Sequence, residues 1–108
     1  MGWQAHTNIT SKSQKDTFEL ASKQIVESAG KVDNLLERGG LGSEECCKMI
    51  ETASNISCFT TEAIHADTLT GLCNWHFPYS EEEYWSFLSA QEFIEVASKL
   101  KLTITFSW

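Results

Sequence analysis

The last eight residues, KLTITFSW, constrain the fold most: Leu102, Ile104, Phe106 and Trp108 alternate with Lys101, Thr103, Thr105 and Ser107, the period of a strand with one buried face. Such a face needs an apolar partner. The preceding SAQEFIEVASKL supplies one, because Phe93, Ile94, Ala97 and Leu100 recur at helical spacing. A helix-to-strand unit at this end places the chain among sheets covered by helices.

The other segments are read against that unit. Trp3, Ala5, Thr7 and Ile9 alternate with Gln4, His6 and Asn8, which predicts a first strand. Phe18, Ala21, Ile25, Ala29, Val32 and Leu36, joined by Val26 and Leu35, predict an amphipathic helix from Asp16 to about Arg38, capped by Ser13 and stopped by Gly39-Gly40. Gly30 is a point where that helix can divide, since glycine costs about 1 kcal/mol against alanine inside a helix. Ser43, followed by Glu44 and Glu45, predicts the start of a second helix reaching about Ala53.

The segments NISCFTTEAIHA and TGLCNWHFPY flank the turn-like DTLTG and predict a hairpin. Cys73, Trp75 and Phe77 then share its buried face, with Asn74 and His76 opposite; a helix through TTEAIHADTL is the alternative. Pro78 ends the second strand, and Ser80 caps a helix whose first turn holds Glu81, Glu82 and Glu83. Ser80 with Glu83 and Ser89 with Glu92 both form S-x-x-E capping boxes. The last helical region is therefore either one helix over about 81–100 kinked near Ser89, or a short element followed by a helix beginning at 90.

The order is strand, helix, helix, strand, strand, helix, strand. It predicts an α+β fold in a single domain over 1–108, an antiparallel sheet with helices packed on one face, on a ferredoxin-like βαββαβ plan with an extra helix. A chain of 108 residues is of one-domain length and can bury a core without staples.

Charge bears on function. The net charge is −7, and residues 44–95 hold one basic group, Lys48, against ten carboxylates, whereas residues 1–43 balance. Such a field repels phosphate backbones and speeds encounter with a basic partner, so nucleic acid is not expected as a ligand. The first ten residues lack a basic stretch followed by an apolar one, and no apolar run reaches the roughly 18 residues of a membrane helix. The expectation is a cytoplasmic protein, without a membrane partner and with its four cysteines reduced.

Candidate chemistry is sparse. Cys73-x-x-His76, with Cys46, Cys47, Cys58 and His65, offers zinc-type ligands, but Cys58-x6-His65-x7-Cys73-x2-His76 resembles none of the usual paired knuckles. Neither a metal nor a cofactor is expected. Cys47 and Cys58 read as core packers, and Cys46, in a helical first turn, has two glutamates opposing its thiolate. The glycines of ERGGLGSEE lack the lysine and spacing of a phosphate-binding loop. No base and nucleophile pair stands out, so no catalytic residue is assigned and the chain is not expected to be an enzyme.

What remains is a small acidic protein-binding module, of the inhibitor, immunity or anti-defence type, that occupies a basic surface of a partner protein. Its expected contact residues are Glu81, Glu82, Glu83, Tyr84 and Trp85, followed by Glu44 and Glu45, with charge steering and aromatics anchoring. The alternative is a ligand- or metal-binding regulator using a polar sheet face with His6, His65 and His76. Open sheet edges also make a homodimer conceivable.

Overall fold

A computed structural model describes residues 2–76 and 80–108. The α and β elements are β1 (Gln4–Thr7), α1 (Lys12–Ala29), β2 (Gly40–Gly42), α2 (Glu44–Ser54), β3 (Ile64–His65), α3 (Tyr84–Lys99) and β4 (Thr103–Ser107). Three 3-10 segments, Leu36–Arg38, Ala66–Asn74 and Glu81–Glu83, join them.

Both ends of the chain meet at the centre of one antiparallel sheet of order β2-β1-β4-β3, with Ala5 opposite Phe106 and His6 opposite Thr105. The period-2 pattern sorts the faces. Trp3, Ala5, Ile104 and Phe106 enter a core with Phe18 and Ile25 of α1, Met49 and Ile50 of α2, and Phe93 and Ile94 of α3. Gln4, His6, Thr105 and Ser107 stay exposed on the other side. An α+β domain with an antiparallel sheet is thus what the alternation demanded. The strand order does not confirm the ferredoxin-like plan, because the second strand precedes α2 and the expected strand over 71–78 does not form in its described part.

There the chain folds as the 3-10 segment Ala66–Asn74. Leu69 and Leu72 are fully buried, three residues apart, which is the 3-10 repeat. Hydroxyls reinforce each turn, Thr68 donating to the His65 carbonyl at 2.7 Å and Thr70 to that of Asp67 at 3.0 Å. Cys73 and Trp75 are half-buried from this segment rather than from a strand. The expectations for Phe77 and Pro78, and the residue Tyr79, lie outside the described residues.

Helix α1 begins four residues before Asp16, because Ser11 and Gln14 form the capping box. It ends at Gly30, whose φ of 75° takes the left-handed conformation. Val32 and Leu36 still pack against the core, from the loop and the 3-10 turn that follow. Helix α2 starts as expected, with Ser43 Oγ accepting from the Cys46 N–H at 3.2 Å. Helix α3 continues through Ser89, which is buried mid-helix and accepts from the Asp33 N–H at 3.0 Å instead of capping. Trp108, expected on the buried face, is 55% exposed and packs edge-on against Phe59.

Candidate protein-binding surface

Glu44 and Glu45 open α2, and Glu81, Glu82 and Glu83 form the 3-10 turn that leads into α3. The two helices begin beside one another: the Cys46 thiol, in the first turn of α2, donates to the Ser86 carbonyl, in the first turn of α3, at 3.4 Å. Asp33 joins them, since its N–H reaches Ser89 and its Oδ1 accepts from the Leu35 N–H at 3.0 Å. Burial, then the negative charges of Asp33 and Glu45, push the Cys46 thiol up to about 12, with the Ser43 and Ser86 hydrogen bonds working against the rise. The thiolate that a helix start would favour is therefore withheld.

Glu81 and Glu82 are exposed, as is Glu45, and Glu83 is half-buried. Their carboxylates complement the positive ends of the two helices, which is one physical reason for acidic residues at each start. Tyr84, 40% exposed, lies with Ser28, Ala29 and Glu81 around a cleft of about 400 Å³. Trp85 is half-buried beside Val32 and Asn34, with the Lys31 ammonium 4.4 Å above its ring. Glu44 does not join this group. With Cys47, Lys48 and Glu51 it follows the i, i+3, i+4, i+7 stripe of α2 and faces a different cleft.

The polar sheet face exists, but the three histidines do not converge on it. His6 lies opposite Thr105 and His65 opposite Thr103, with β4 between their strands. Among the described residues no histidine belongs to a group of three potential ligand atoms close enough to share one ion. His6 Nε2 instead lies 3.3 Å from Ser107 Oγ. His76 follows the 3-10 segment and does not belong to the sheet.

One constellation escaped the sequence reading. Cys47, Glu51 and Cys58 bring two Sγ atoms and a carboxylate oxygen within 4.8 Å of one another. Cys47 Sγ lies 3.8 Å from Glu51 Oε1, and Glu51 Oε2 accepts from the Cys58 N–H at 3.0 Å. Burial first, and the Glu51 charge after it, push the Cys47 thiol up to about 11; burial, then Cys47 and Glu51, push Cys58 up to about 12. The legible signal was the spacing of Cys47 and Glu51, one helical turn apart. Nothing local announced that Cys58 would return to them.

Compared with known proteins, the chain matches no family model, no curated protein and no solved structure. Among the described residues no helix is long and apolar enough to cross a membrane.

Proposed function

We propose that the protein is a non-enzymatic binding module that occupies a basic surface of a partner protein, acting as an inhibitor of the immunity or anti-defence kind. The observation that carries this reading is the Cys46–Ser86 contact, which sets Glu45 and the Glu81–Glu83 turn at neighbouring helix starts. In this reading the neighbouring helix starts let acidic residues far apart in the chain face one partner. Tyr84 and Trp85 follow directly on the glutamate turn and supply aromatic area of the kind that anchors interfaces. In this reading the carboxylates steer encounter and raise the on-rate, while the aromatics hold the complex.

The test is capture from the native host lysate on immobilised protein at low and moderate salt, beside a variant carrying Glu81→Gln, Glu82→Gln and Glu83→Gln. A single basic protein should be retained by the wild type, released as salt screens the charges, and lost by the variant. Retention of nothing at either salt, or equal retention by the variant, refutes the reading.

A further inference from the structure

We propose that Cys47, Glu51 and Cys58 form a binding site for a thiophilic divalent cation of the zinc class, with its fourth coordination position open to the adjoining cleft. The donor set is two sulfurs and one carboxylate oxygen, a combination that favours zinc-like ions over the oxygen-seeking magnesium and calcium. Tetrahedral zinc with Zn–S near 2.3 Å requires ligand atoms about 3.5–3.8 Å apart. Cys47 Sγ and Glu51 Oε1 already stand at 3.8 Å, and the whole set lies within 4.8 Å. Small side-chain rotations close the remaining gap.

The backbone holds these donors in place. Cys47 and Glu51 share one face of α2, and Cys58 follows the left-handed Asn55 that ends the helix. The second Glu51 oxygen is fixed by the Cys58 N–H, and the Cys58 carbonyl accepts from the Trp3 indole at 2.8 Å. Partners of this kind orient metal ligands from outside the coordination sphere. Without a metal the Glu51 carboxylate accepts from the Cys47 thiol and the Cys58 N–H, so all three donors already face one point. A dication takes the place of the thiol hydrogens: two thiol protons pass to solvent, two metal–sulfur bonds form, and the carboxylate becomes a ligand.

Three protein ligands leave the fourth position of a tetrahedral zinc ion for a water or another small ligand. Cys47 and Glu51 line a cleft of about 350 Å³ whose other walls are Trp3, Glu44, Lys48, Phe59 and Trp108. A water entering from this cleft would fill the fourth position, and Lys48, at its wall, would offset the residual negative charge of a site with two thiolates and a carboxylate. None of the three ligands is a residue of the acidic helix starts, of which only Glu44 reaches the cleft wall, so the site stands or falls independently of the proposed partner.

The experiment titrates the freshly reduced full chain with cobalt(II) under exclusion of oxygen, followed by displacement with zinc. One cobalt per chain should give a thiolate-to-metal charge-transfer band and the visible bands of a tetrahedral ion, both removed by zinc. Cys47→Ser and Cys58→Ser should each lose charge-transfer intensity, and Cys73→Ser should lose none. Glu51→Gln keeps an oxygen acceptor for the Cys58 N–H, so it preserves the fold while weakening zinc binding at least about tenfold, the cost of disturbing even an outer partner. Zinc should also raise the thermal midpoint of the wild type by more than that of Glu51→Gln. If the serine variants do not fold, the Glu51→Gln comparison decides. Absence of the tetrahedral bands, or zinc affinity and thermal shift unchanged by Glu51→Gln, overturns the site.

Discussion

Glu92 is half-buried on α3, and burial, then the charge of Glu95, raises its pKa above the usual carboxylate value, with Lys99 opposing. The folded chain thus holds this proton more tightly than the unfolded chain. The stability it contributes is complete below the ordinary carboxylate range and is lost as pH rises through the raised folded pKa. Glu92→Gln should therefore melt higher than the wild type at neutral pH, with the difference closing in acid; melts over a pH series check this, and a pH-independent difference would exclude the carboxylate as its source. Trp3 raises a question of packing and polarity together. It stacks on Phe106 with ring centres 5.6 Å apart while its indole serves the buried Cys58 carbonyl. Trp3→Phe keeps an aromatic ring but leaves that carbonyl unpaired, so urea unfolding should show a loss of about 1–3 kcal/mol. The alternation around Ala5 announced that Trp3 would be buried. Its hydrogen bond to a residue 55 positions away was not legible, because no local pattern specifies such a partner.

At the scale of elements, helix ends and strand faces were legible where they depend on neighbours in the chain, as at Ser43 and along Thr103–Ser107. Elsewhere tertiary contacts chose among local options. Ser89 and Glu92 had capping-box spacing, yet the serine serves Asp33 across the core and the helix runs on. Leu69 and Leu72 packed at a three-residue repeat, overruling the alternation that had suggested a hairpin. The apolar stripe over Phe18–Leu36 continued past the helix end because a loop and a 3-10 turn can also deliver Val32 and Leu36 to the core. Two glycines with the same backbone sign separate the causes of that ending. Gly30, at φ 75°, has no atom within 4 Å of where a Cβ would stand, so Gly30→Ala should cost only left-handed strain, about 1–2 kcal/mol. Gly39, at φ 76°, would place a Cβ 2.7 Å from Ile9 Cδ1 and 2.8 Å from Thr7 Oγ1. Gly39→Ala should cost visibly more in the same denaturant titration, and equal losses would show that steric closure at β1 contributes nothing.

At the scale of the whole molecule, acidic composition was legible but its distribution was not, since it depends on which helices start together. Cys46, next to Glu45, meets Ser86, three residues beyond Glu83, whereas Glu44, on the other side of Glu45, turns with α2 toward the Cys47–Glu51 cleft. The rotation of about 100° per helical residue divides neighbours that a linear charge count had joined. The same reasoning applies to the sheet edges, which the sequence alone leaves open to self-pairing. Strand β2 is one edge, yet Gly40, Leu41 and Gly42 are all buried, and the Gly40 N–H donates to the Leu35 carbonyl at 3.0 Å. The other edge, β3, is two residues long and offers little template for a second copy. Net charge of −7 adds repulsion between copies, which salt weakens. Light scattering across a concentration series should therefore return the mass of one chain at low salt. At higher salt, where repulsion is screened, the covered and shortened edges alone should keep it monomeric. A dimer at high salt only would make charge the barrier to self-association, and a dimer under both conditions would require an interface other than these edges, for which the exposed Phe59–Trp108 pair is the first candidate to mutate.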